Sequence, residues 1–249
     1  MTFIQPPKES TTLEVYPPDG DGWLAREEIA ALTPEIVRER VRALQPLIVR
    51  HAAAAEQLGR PHPEVWEALR GTGFFYHFMS KAYGGCEFGA EDFFVTVGVI
   101  AEACASTAWA ASFTVEHNWL ASLYPKEAQD VFFAEGRYIC APAVTNPPGQ
   151  AVRVPGGYRL SAHWKYGSGI MNANWAIGTA LIEGEAAQGP YWFAFPASEA
   201  RGVERSDLER LKTRNVVGIV SVAENPADTA PPNWFSSGAS IVEYTPRFR

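Results

Sequence analysis

Apolar positions along the chain follow two different rhythms. From Thr33 to about Phe133 they recur every three or four residues, and from Tyr138 onward they gather into short runs punctuated by proline and glycine. The first rhythm predicts amphipathic helices and the second predicts strands. Thr33 followed by Pro34 supplies an N-cap and a first helical residue, and Val37, Val41, Leu44 and Ile48 then mark one face. Pro46 lies inside that pattern, where it lacks a backbone donor and crowds the preceding turn, so a kink is expected between Arg42 and Pro46. A shorter helix is expected from Pro63 to Gly71, with Val65, Trp66 and Leu69 on one face and the glycine in the left-handed position past its end. Phe93, Val97, Ile100 and Cys104 predict a central helix from Ala90 to about Ser106. Trp109–Leu123 and Lys126–Phe133 complete a helical region ending near Glu135.

Beyond it, the runs Tyr138–Val144, Ala151–Val154, Tyr158–Tyr166, Trp175–Ile182 and Tyr191–Phe195 are expected to be strands. Pro155-Gly156-Gly157 separates two of them as a hairpin turn would, because glycine accepts positive φ without steric cost. The fold class expected is α+β: a helical domain over residues 26–135, then a β-rich, barrel-like domain over 136–225. Residues 1–25, rich in proline and glycine, are expected to be an extended or disordered arm, and 226–249 an irregular tail.

Charge narrows the partners. The net charge is −7 and the basic residues are scattered, so no basic stripe faces a phosphate backbone and nucleic acid is not expected as a partner. Apolar stretches such as Ala173–Ile182 are shorter than the roughly 20 residues of a membrane span. The N-terminus lacks a signal pattern, so the expected location is cytoplasmic, with no membrane partner. Cys86, Cys104 and Cys140 are widely spaced and suit neither a disulfide framework nor a zinc site. None of the five histidines, His51, His62, His77, His117 and His163, pairs at H-x-x-x-H spacing, so no catalytic metal is expected. Gly167-Ser168-Gly169 lacks the intervening residues of a nucleophile elbow, which disfavours a serine hydrolase.

The order of helices, Tyr83-Gly84-Gly85, a helix through Ser106-Thr107-Ala108-Trp109, and a β region containing His163-Trp164-Lys165-Tyr166-Gly167-Ser168-Gly169 resembles the acyl-CoA dehydrogenase superfamily over about residues 34–205. The Trp164-x-x-x-Ser168-Gly169 run followed by Asn172-Ala173-Asn174-Trp175 is most similar to its two-component flavin monooxygenases. The resemblance implies a flavin-dependent oxidoreductase. It would be the oxygenase component, receiving reduced FMN or FAD from a separate flavin reductase and using O2 to hydroxylate an aromatic substrate. FAD-dependent dehydrogenation of an acyl-CoA is the alternative within the same fold.

By position in the motif, Ser168 matches the family serine whose hydroxyl lies against the flavin ring; its other reading is a turn serine bonding its own backbone. Trp109 and His117 stand two helical turns apart, so both can point toward one pocket, as the family places them, or both can be ordinary core residues. Trp164 and Tyr166 alternate along an expected strand; with Gly169, Trp164 either faces the cofactor or fills a sheet core. The resemblance makes Ser168 and His117 the catalytic candidates, and Ser168, Trp164, Gly169 and Trp109 the cofactor-binding ones.

After about Leu208 the family's motifs are not recognisable, and its C-terminal four-helix bundle is not expected in this chain. Three readings follow: an oxygenase completed by a homo-oligomer or a complementing helical chain, a non-catalytic flavin-binding fragment, or a product with a frameshifted tail.

Overall fold

The computed structural model describes residues 23–154, 157–162, 164 and 167–197. Most of the arm, the tail, the β-rich region beyond residue 197, and the motif residues His163, Lys165 and Tyr166 lie outside them. Eight helices come first: α1 (Arg26–Ala30), α2 (Pro34–Ala43), α3 (Gln45–Leu58), α4 (Pro63–Arg70), α5 (Ala90–Ala103), α6 (Ala105–Val115), α7 (His117–Ala121) and α8 (Lys126–Phe132). Thr33 caps α2 by accepting from the Ile36 N–H at 3.3 Å. Pro46 does more than kink the chain: α2 stops at Ala43 and a new helix starts at Gln45, with the proline in its first turn, where its missing donor costs nothing.

Two helical expectations need correction. Gly71 ends α4 in right-handed geometry, and it is Gly73, at φ 88°, that takes the left-handed turn. The helix expected from Ala90 to Ser106 breaks at Cys104, whose extended φ of −160° and ψ of 108° separate α5 from α6. Unbroken apolar periodicity hides such a break, since a one-residue offset keeps both pieces facing the core.

Strands β1 (Ala143–Val154), β2 (Gly157–Ser161), β3 (Trp175–Ile182) and β4 (Tyr191–Pro196) form a mixed sheet in the order β2-β1-β3-β4. β1 and β2 are an antiparallel hairpin with Val154 opposite Gly157, β1 and β3 run parallel, and β3 and β4 are antiparallel. Helices followed by this half-barrel sheet give the α+β architecture expected. The strand boundaries differ in three ways. Two expected runs merge into the single β1, whose register with β3 shifts between Val144 and Gly149 around the prolines. Among the described residues Tyr138–Ala141 belongs to no strand, although the Cys140 carbonyl accepts from the Trp175 N–H at the start of β3 at 3.2 Å; its side chains are buried in the helical core. The run from Tyr158 leaves the sheet after Ser161, so Trp164 does not sit on a strand.

β3 is buried on both faces. Trp175 and Ile177 pack on the helical core with Tyr138 and Ile139, whereas Ala176, Ala180 and Ile182 face a second core with Leu160, Trp164, Ile170 and Phe195. This alternation is the period-two geometry of a strand clamped between two layers.

Candidate functional site

α6 is built to let other segments approach it. Its small residues Ala108, Ala110 and Ala111 are buried, and each of its remaining sides carries one task. Ala108, Ala111 and Val115 belong to the helical core. Ala110 and Thr114 receive the turn that begins at Gly167. Trp109 points outward and is 56% exposed.

The outward side continues as an aromatic row. Trp109 stacks on Phe113 with ring centroids 5.6 Å apart and planes within 10°, and Phe113 meets His117 edge-on at 5.0 Å. Residues four apart on a helix stand one above another, so the row runs from solvent into the interior. At its inner end His117 Nδ1 lies 2.6 Å from the Ala141 carbonyl. A carbonyl only accepts, so Nδ1 carries the proton and Nε2 keeps its lone pair. Burial holds the His117 pKa below its ordinary value, although the Ala141 and Phe113 carbonyls pull the other way. Nε2 stands 3.8 Å from Glu116 Oε1, and burial holds that carboxyl above the usual carboxylate range. A neutral imidazole acceptor beside a half-buried carboxyl can take a hydrogen bond or a proton from a hydroxyl brought to it.

The turn at Gly167–Asn172 docks against the same helix. Gly169 adopts φ 85°, and the Asn172 N–H closes onto its carbonyl at 2.9 Å. A Cβ at Gly169 would stand 2.6 Å from Thr114 Cγ2 and 3.3 Å from the Ala110 carbonyl oxygen, so only glycine allows this approach. Thr114 holds its methyl there because its hydroxyl donates to the Ala110 carbonyl at 2.9 Å. Ser168 is carried half-exposed at the tip. Asn172, by contrast, is buried, with neither amide atom hydrogen-bonded among the described residues.

Trp164 is 2% exposed and lies in the sheet core. Its indole stacks on Phe195 with centroids 5.4 Å apart, its Nε1–H donates to the Thr179 carbonyl at 2.9 Å, and Gly178 leaves room for its ring. A void of about 10 Å³, enough for one water, is bordered by Trp164, Gly167, Ile170 and Phe195. The structure therefore brings Gly169 against α6, the helix that carries Trp109 and leads to His117, with Ser168 beside Gly169 in the turn and Trp164 in the sheet core.

Sequence reasoning missed four contributors. Phe113 was legible, since a row from Trp109 to His117 needs a middle member. Glu116 and Thr114 carried no pattern. Asn174 sits in the motif but works structurally: its Oδ1 accepts from the Cys140 N–H at 2.7 Å and its own N–H donates to the Cys140 carbonyl at 3.0 Å. That pairing fastens the turn region to the segment supplying Ala141.

Known proteins resemble this chain in sequence and in fold. Residues 33–129 match the acyl-CoA dehydrogenase N-terminal domain. The chain is 29% identical over 175 residues to the pigment production hydroxylase of Rhodococcus sp. (strain ATCC 21145), covering 70% of this chain and 43% of that protein. It is 32% identical over 151 residues to the oxygenase component of the FADH(2)-dependent resorcinol hydroxylase of Rhizobium sp. (strain MTP-10005), covering 59% and 37% respectively. The structure of XiaF from Streptomyces sp. in complex with FADH2 and glycerol superposes with a TM-score of 0.63 at 28% identity, covering 79% of this chain and 51% of that one. The chain thus spans less than half the length of these curated relatives.

Proposed function

We propose, for a chain whose residues 33–129 form an acyl-CoA dehydrogenase N-terminal domain, that it serves as the oxygenase component of a two-component flavin monooxygenase. It would take reduced FMN or FAD from a separate reductase and use O2 to hydroxylate an aromatic substrate. The observation that carries this reading is the docking of Gly169 on Ala110 and Thr114 of α6, the helix that also carries Trp109 and Phe113 and leads to His117, with the half-exposed Ser168 next to Gly169 in the turn. The hydroxylase and FADH2-dependent names of the relatives favour hydroxylation over acyl-CoA dehydrogenation.

The residues fit a flavin as one wall of its site. The void of about 10 Å³ behind the turn is too small for a ring system, so an isoalloxazine belongs on the open side, against the exposed indole of Trp109. There Trp109 and Phe113 offer apolar ring surface, Gly169 permits close backbone approach, and the Ser168 hydroxyl is the available donor. Trp164 would support the turn from the sheet core. The bound reduced flavin supplies the activation of O2. The protein's part is to orient an aromatic hydroxyl against His117 Nε2 and to keep water from the ring.

The decisive experiment is anaerobic titration of the purified chain with reduced FMN and with reduced FAD, followed by mixing with O2. Saturable binding and reoxidation slower than that of the free flavin support the proposal. Absence of binding to either flavin rejects it for this chain.

A further inference from the structure

Where α3 meets α4, three potential metal ligands converge. His51 projects from α3, His62 caps α4, and Glu64 lies in the first turn of α4. One ligand atom from each lies within 4.8 Å of the other two. The imidazoles stack with centroids 3.9 Å apart and planes within 18°. His51 Nε2 stands 3.0 Å from Glu64 Oε2, yet the two are not aligned as a hydrogen bond, and that nitrogen is buried with no hydrogen-bond partner among the described residues.

The geometry points to a site for a divalent transition-metal ion, Zn²⁺ by choice of ligands, that ties α3 to α4. Donor atoms that share a metal aim at a common point and not at one another. Adjacent ligands of a tetrahedral zinc with bonds of about 2.0–2.1 Å stand about 3.3 Å apart. The His51–Glu64 pair, at 3.0 Å, stands near that separation and is misaligned as a hydrogen bond, and on binding the stacked imidazoles turn apart to bring both lone pairs onto the ion. Two neutral imidazoles and one carboxylate form an N,N,O set of net negative charge, which selects Zn²⁺, Co²⁺ or Ni²⁺ over the oxygen-seeking Mg²⁺ and Ca²⁺. Glu64 is exposed, so an ion has an open path and water can complete the coordination.

The sequence hid this site because its two histidines belong to different helices. They meet only because the chain turns at Gly59, which takes φ 67°, and returns through His62. A metal at His51 clips the ends of a short helical hairpin and would stabilise the folded chain by mass action.

The test is titration of the tag-free, full chain with Co²⁺, read by its visible d–d absorption, followed by displacement with Zn²⁺ and by thermal melting. The expected result is one equivalent bound, with a melting temperature that rises until that equivalent is reached. His51→Asn and His62→Asn should lose both signals, with circular dichroism confirming that each is folded without metal. Glu64→Gln, an exposed change that leaves the core untouched, should bind more weakly and serves if either histidine variant misfolds. No uptake by the unaltered chain, or uptake unchanged in Glu64→Gln and the folded histidine variants, overturns the site.

Discussion

Asn118 spends its whole side chain on backbone. Its Nδ2 donates to the Val115 and Ile139 carbonyls at 2.9 and 2.8 Å, and its Oδ1 accepts from the Ile139 N–H at 2.9 Å. Asn118→Ala strands both polar groups of Ile139 in the core, and each buried orphan costs roughly 1–3 kcal/mol, so a loss of about 2–4 kcal/mol is expected in urea denaturation. Because Ile139 precedes the segment that fixes His117, the same variant should also weaken reduced-flavin binding. Ser168 answers to a different measurement. Its proposed contact with the flavin predicts that Ser168→Ala leaves flavin affinity within about fivefold, the worth of one neutral hydrogen bond near 1 kcal/mol, while reoxidation accelerates. Equal reoxidation rates in the two proteins would reduce Ser168 to a turn residue. Sequence alone named Ser168, Trp109 and His117 because each has a conspicuous chemistry or spacing. It was silent on Asn118, whose partners are carbonyls and an N–H that carry no side-chain signature.

At the scale of elements, the site depends on how closely one turn approaches one helix. Gly169→Ala combines a left-handed φ of 85° with a Cβ 2.6 Å from Thr114 Cγ2. Strain of this kind costs about 1–3 kcal/mol, which the midpoint of denaturation should register. Thr114→Ser removes that methyl and keeps a hydroxyl able to donate to Ala110. The double variant should therefore recover part of the loss, a coupling that separates the steric contribution from the backbone one. Strictly additive effects would show that the turn does not press on α6. Helix identities were legible here because Thr33-Pro34, Pro63 and the three-and-four spacing act locally. The α5–α6 break at Cys104 and the end of β2 at Ser161 were not, since tertiary neighbours decide them: Trp164 leaves the sheet to lie over Gly178, a pairing distant in sequence.

Across the whole molecule, the order of helices then sheet was plain from the change of rhythm at Tyr138. The role of Tyr138–Ala141 as a strap inside the helical core was not, because a buried extended segment and a strand share one pattern. The buried histidines give this packing a measurable pH dependence. Burial lowers the pKa of both His77 and His117 below the ordinary 6.5. His77 donates from Nε2 to the Gly89 carbonyl and has a buried Nδ1 with no partner among the described residues, so a second proton there would meet no acceptor among them. Above about pH 6.5 both residues are neutral in the folded and unfolded chains and contribute no slope. As pH falls below it, the unfolded chain takes up protons first, so folding stability must decline until the depressed folded values are passed. Glu116, raised from 4.5 by burial, opposes this lower down, since its protonation in the folded state relieves a penalty as pH drops toward 4.5. The denaturant midpoint should thus fall most steeply between about pH 6.5 and the depressed folded values and flatten below them. His77→Gln and His117→Asn replace each imidazole with a neutral amide donor. Each should remove its share of that decline, and a slope unchanged in both variants would place the titrating groups elsewhere.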